Sequence, residues 1–139
     1  MRNIYVRVAV GLAGALMALA GMLCSGSLGQ DNVPIIWDGH LMLRVRVGAG
    51  GMTPQQRAAE IELRLEDLMA DQFAHDRQSL VGRIRVRPVG NEAVIETPER
   101  LLLTVTQADA RANEATVPWL AQYWRGRIEA AMIVATETG

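Results

Sequence analysis

The sequence predicts an α+β domain: a four-stranded mixed sheet with two helices packed on one face, in the order strand, helix, strand, strand, strand, helix. Three observations carry this. Apolar residues alternate with charged ones in "HLMLRVRV" and in "RIRVRPVGNEAVIE", the period of half-buried strands. Two longer stretches, near residues 54–73 and 118–135, repeat apolar residues every three or four positions, the period of a helix buried along one stripe. The hairpin strands follow one another while the helices stand apart from them, which separates α+β from alternating α/β architecture.

The elements follow in order. Residues 1–29 read as a secretory signal or an N-terminal anchor: Arg2 and Arg7 precede the uncharged run Val8 to Leu23, and the small residues "CSGSLGQ" follow. Ser27 and Gly29 suit the small positions before a cut, which predicts a mature, periplasmic chain from Gln30; an uncleaved segment would tether the domain to the inner membrane. The run falls short of the roughly 20 residues of a comfortable span. Cys24 raises lipidation, but Leu23 stands where a small residue is wanted. As the sole cysteine, Cys24 leaves the mature domain without disulfide or thiol chemistry.

Residues 30–39, with Pro34 and no clear period, read as a lead-in arm to a single domain over 40–139. In the first strand Leu41, Leu43, Val45 and Val47 face inward, and His40, Met42, Arg44 and Arg46 outward. "GAGG" ends the strand. Thr53, Pro54 and Gln56 then form a helix start with a capping box, and Ala58, Ile61, Leu65, Leu68, Met69 and Phe73 form the buried stripe. The two-residue turn Gly90-Asn91 sets a hairpin register: Val89 opposite Glu92, Arg87 opposite Val94, Arg85 opposite Glu96, Val86 opposite Ile95 and Ile84 opposite Thr97. Leu101, Leu103 and Val105 continue the sheet in a strand that is apolar on both faces near its start. Thr106 or Asp109 caps a short helical turn through Ala112. Pro118 opens the last helix, with Val117, Leu120, Ala121, Trp124, Ile128, Ala131, Met132 and Ala135 buried.

Composition narrows function. Removing Arg2 and Arg7 from the 14 basic residues leaves 12 against 15 acidic ones, a net of −3, and a weakly acidic domain lacks the basic footprint of a nucleic-acid binder. About 110 mature residues bury roughly two thirds of their surface, enough for one core. His40 and His75 have no metal-ligand spacing, so no metal is expected, and no motif implies a cofactor. Ser79 lacks nucleophile context. Glu60, Glu62, Glu66 and Asp67 read as the wet side of a helix. Asp109, following a buried strand, is the one candidate for a carboxylate hydrolase, and its simpler role is a helix cap.

Two surfaces are candidates for binding. Arg44, Arg46, Arg83, Arg85 and Arg87 would share one open sheet face if the first strand joins the hairpin; the interspersed Glu92 and Glu96 favour a solvated face over a strip for anions or polymers. Trp119 and Tyr123, four apart on the last helix and off its apolar stripe, form an aromatic patch unless the arm carrying Trp37 covers them. An unpaired sheet edge offers a route to homo-oligomers.

The segments "LRVRVGAGGMTPQQRAAEIELRLEDL", "RLLLTVTQADARA" and "WLAQYWRGRIEAAM" together resemble the extracytoplasmic N-terminal domain of bacterial small-conductance mechanosensitive channel proteins. The matching positions are Arg57, Ala58, Ile61, Arg64 and Leu65; Leu102 to Ala110; and Leu120, Ala121, Trp124, Ile128 and Ala131. Thr53 and Asp109 fall within the same structural motif. No further hydrophobic span follows before Gly139, so channel activity is not carried over. The resemblance implies an exported, non-enzymatic module that acts through a protein partner in the periplasm or at the membrane.

Overall fold

The computed structural model describes residues 32–75 and 82–137, with the side chains of 72–75 and 135–137 outside that description. Residues 1–29 with Cys24, the side chains of Phe73, His75 and Ala135, and Ser79 therefore lie outside the described residues. The chain runs β1 (Val33–Trp37), β2 (His40–Val45), α1 (Pro54–His75), β3 (Arg85–Val89), β4 (Glu92–Glu96), β5 (Leu101–Val105), α2 (Gln107–Ala112) and α3 (Val117–Glu137). The α+β character stands, but the four-stranded mixed sheet does not. There are two antiparallel sheets, β1-β2 and β3-β4-β5, and three helices.

The first correction concerns the arm. Val33 and Trp37 are half-buried and Ile35 is buried, while Pro34 and Ile36 face water, so "VPIIW" is a period-2 strand. Pro34 is tolerated because β1 pairs on one side only, with β2. Asp38 (φ 46°) and Gly39 (φ 77°) make the two-residue turn between the strands, with positive φ at both positions as a type I′ hairpin demands. Asp-Gly between apolar runs is a strong hairpin signal, which outweighs the missing period of the arm.

Both sheets contain a bulge where two apolar residues are adjacent. Ile35 pairs with Leu43 and Ile36 with Leu41, which leaves Met42 as the extra residue. Met42 is therefore buried beside Leu43 rather than facing outward with Arg44, correcting the simple alternation. In β5 the pairs Ile95–Leu103 and Glu96–Leu101 leave Leu102 extra; Leu102 and Leu103 are both buried, and Leu101 is exposed. The β3-β4 register follows the turn chemistry at Gly90-Asn91: Arg85–Glu96, Val86–Ile95, Arg87–Val94 and Val89–Glu92 pair as expected, Pro88–Ala93 lies between them, and the ladder ends before Ile84 and Thr97.

The helices close the core. Thr53 Oγ1 accepts from the Gln56 N–H at 3.2 Å and the Thr53 N–H donates to Gln56 Oε1 at 3.0 Å, the capping box read from the sequence. Ala58, Ile61, Leu65, Leu68 and Met69 of α1 are buried with Leu120, Ala121, Trp124, Ile128, Ala131 and Met132 of α3 in one cluster. Val117 only borders it. α1 packs on β1, β2 and β5, whereas α3 packs on β2, β3, β4 and β5.

Arginine side chains do the joining that a shared ladder would have done. Arg57 donates to Val47 O, just past β2, at 3.1 Å and to Thr104 O of β5 at 2.6 Å. Arg127 of α3 donates to Met42 O at 3.5 Å and to Leu41 O. Carbonyls that a neighbouring strand would have paired are satisfied by guanidinium N–H groups, which is why β2 and β5 need not hydrogen-bond to each other.

Candidate functional site

The most tightly built constellation is the pair Arg57–Asp109. Arg57 stands in the first turn of α1, four residues before Ile61, and so on the buried stripe; it is 4% exposed and Asp109 is 0% exposed. The two meet fork to fork, Nη1 to Oδ1 and Nη2 to Oδ2, each at 2.7 Å. Such bidentate, charge-assisted geometry is the strong form of the interaction, and a pair this deeply buried requires its remaining groups to be satisfied. They are. Asp109 Oδ2 also accepts from the Thr106 N–H at 2.8 Å and from Thr106 Oγ1 at 2.9 Å, while the Asp109 N–H donates to Thr106 Oγ1 at 3.2 Å.

Thr106 is thus the N-cap of α2 and Asp109 its third residue, closing a capping box; the two alternatives in the sequence reading are two halves of one motif. Asn113 Nδ2 adds a bond to Asp109 O at 2.8 Å. All of these contacts hold the β5-α2 corner against α1 and the end of β2. Both Asp109 oxygens are committed to donors within the fold, so the carboxylate has a joining role, and no second acid bonds to it.

A cleft of about 840 Å³ opens beside this node, between the Gly48–Met52 loop, α1 and the β3-β4 turn. Its charged lining is mixed: Arg64 pairs with Glu60 at 2.9 Å and reaches Leu102 O at 3.5 Å, while Glu92 and Arg111 face the opening. The Gly-rich loop does precede a helix start, but the capping box already occupies the Thr53 and Gln56 N–H groups that would otherwise be offered to an anion there. Among the described residues no group of three His, Cys, Asp or Glu side chains could hold a metal ion.

The arginine face is not assembled as expected. β2 pairs with β1, so Arg44 is on a different sheet from Arg85 and Arg87, and Arg46 follows the end of β2. Arg46 turns to Ala112 O at 3.2 Å, its Nε shielded from water. Arg83 pairs with Glu99. Arg87 takes Glu96 diagonally across the hairpin, Nε to Oε1 at 2.7 Å and Nη2 to Oε2 at 3.0 Å, although Arg85 is the residue directly opposite. That hydrogen bond holds the Glu96 carboxyl below its ordinary range and raises Arg87. Arg44 and Arg85 remain exposed.

The aromatic patch is assembled. Trp119 and Tyr123 are 58% and 50% exposed and stack with ring centroids 5.1 Å apart at 8°. Trp37, on β1, packs against the core instead of covering them. Trp124 is 2% exposed and belongs to the core.

Sequence reasoning missed that Arg57 is the partner of Asp109. The available signal was an arginine on an otherwise apolar helical stripe, with an aspartate following a buried strand as its complement; these are the buried charges among the described residues. It also missed Arg127 as the donor to β2, for which the sequence carries no signal.

No curated protein and no solved structure matches the chain. One family model does, over residues 34–135, a span that contains both sheets except Val33, the Arg57–Asp109 node and nearly all of α3. By that match the chain belongs to the family described as Domain of unknown function (DUF8459).

Proposed function

We propose that this chain is an exported, non-catalytic module that works by protein contact in the periplasm or at the membrane surface. The observation that carries the reading is the stacked, half-exposed Trp119–Tyr123 pair on α3. Large aromatic side chains left in water at one place are characteristic of contact surfaces. The deepest charged group, Asp109, is meanwhile occupied in joining elements. Export is supported by the basic, then apolar, then small-residue order of residues 1–29. The resemblance to extracytoplasmic domains of mechanosensitive channels points the same way.

A photo-crosslinking residue at position 123, in the cells that make the protein, tests the contact. The expected result is a discrete crosslinked protein product at Tyr123 and none at the exposed control Arg85. No product at Tyr123 would overturn the contact reading. Fractionation with intact-mass measurement tests export: a periplasmic species starting near Gln30, or a membrane-bound one retaining Met1, is expected, and a cytosolic species overturns it.

A further inference from the structure

α3 is apolar on two opposite sides. Leu120, Trp124, Ile128 and Met132 are buried in the core. On the side turned away, Trp119, Tyr123, Gly126, Ala130 and Ile133 succeed one another at three- and four-residue spacing, and all are exposed. A globular helix ordinarily carries charge opposite its buried stripe, and one that is apolar on both sides is covered on both.

We infer that a second copy of this chain covers the outer face, with the two α3 helices antiparallel about a two-fold axis at Gly126. This deepens, and rests on, the reading of the chain as a contact module. The face is self-complementary about that glycine. Trp119 lies seven residues before Gly126 and Ile133 seven after, so the two-fold sets Trp119 of one protomer against the partner's Ile133. A Cβ placed on Gly126 would have nothing within 4 Å, so an open notch lies at the centre between bulky ends, suited to close approach of a second helix.

Arg127, one residue past the axis, donates back to Met42 O and Leu41 O of its own protomer, which draws its guanidinium away from the partner's Arg127.

The exposed fractions of Trp119 and Tyr123 amount to roughly 250 Å² per copy, from areas of about 150–250 Å² for such side chains. Two copies contribute about 500 Å², and Gly126, Ala130, Ile133 and Gln122 extend the patch toward the ~1,000 Å² that a specific pairing requires. An interface of this size belongs to the small, reversible class.

Sedimentation equilibrium of the full-length chain, from about 1 µM to about 500 µM, tests this. The mass is expected to rise toward twice the monomer value, with Gly126→Leu weakening association by about tenfold or more at an unchanged or higher melting temperature. In a Cys24→Ser background, Gly126→Cys is expected to oxidise to a covalent dimer and Arg85→Cys is not. A mass that stays monomeric, or association untouched by Gly126→Leu, overturns the pairing and leaves the contact reading to its crosslinking test. Trp119-dependent binding of the monomer to vesicles of phosphatidylethanolamine and phosphatidylglycerol would overturn the pairing and the protein-contact reading together.

Discussion

Asp109→Asn changes one atom at the centre of the Arg57 node and leaves no cavity. In the parent, the carboxylate receives four donors: two from Arg57, one from the Thr106 N–H and one from Thr106 Oγ1. The amide can accept at one oxygen only. Its NH₂ then faces either an Arg57 nitrogen or the Thr106 N–H, donor against donor, and Arg57, 4% exposed, is left without its counter-ion. Breaking one partner of a buried pair costs about 3–5 kcal/mol. The weakened capping box accounts for about 1 kcal/mol of that total.

Arg57→Met is expected to cost as much, because Val47 O and Thr104 O lose their donor as well. Removing both charges, with Arg57→Met and Asp109→Leu, is expected to cost less than the sum of the single changes by about 2 kcal/mol or more. Urea unfolding followed by tryptophan fluorescence measures all three, since Trp124 is buried and reports on the core. Against a typical stability of about 5–15 kcal/mol, such losses shift the midpoint plainly. Asp109→Asn within about 1 kcal/mol of the parent, or single effects that simply add, would refute the account of the node.

Three further outcomes are expected. Gly48→Ala destabilises by about 1–3 kcal/mol in the same assay, because a Cβ there would lie 2.3 Å from the Met52 carbonyl oxygen, a backbone atom that cannot swing aside. In dilute, monomeric protein Gly126→Ala has the opposite sign, raising stability by about 0.5–1 kcal/mol through helix propensity, as its Cβ meets nothing in its own protomer. The Arg87–Glu96 bond depends on pH: because Glu96 is depressed in the folded state, its contribution is present above the ordinary carboxylate range and is lost as pH falls through the lowered value. Melting temperatures of the parent and Arg87→Gln, compared from about pH 6 down to about pH 2, are therefore expected to converge at the acid end.

Much of the local structure is legible from residue order. The β3-β4 register follows from Gly90-Asn91 and the apolar alternation around it, because a one-residue slip would turn Val86 and Ile95 outward. The α1 cap follows from Thr53, Pro54 and Gln56, and the α2 cap from Thr106 and Asp109. Both motifs satisfy backbone groups within four residues, so nothing distant can override them. β1 was equally local, with Asp38-Gly39 supplying its turn. Pro34 and the exposed Ile36 obscured the period. The exposed Trp119–Tyr123 pair follows from their place off the α3 stripe.

What tertiary structure decided is which elements meet. Local pattern specifies that β2 and β5 are strands but not what fills their free edges, because a strand edge accepts any well-placed donor. Arg57 and Arg127 provided those donors from two helices, and the predicted single sheet became two. The same step separated Arg44 and Arg46 from Arg85 and Arg87, dissolving the arginine strip. It also brought Arg57 to Asp109 across 52 residues of chain, a pairing no sequence period encodes. Short-range hydrogen bonding and the apolar period were settled by the sequence itself, while the joining of sheets waited on long side chains whose reach only the packed helices define.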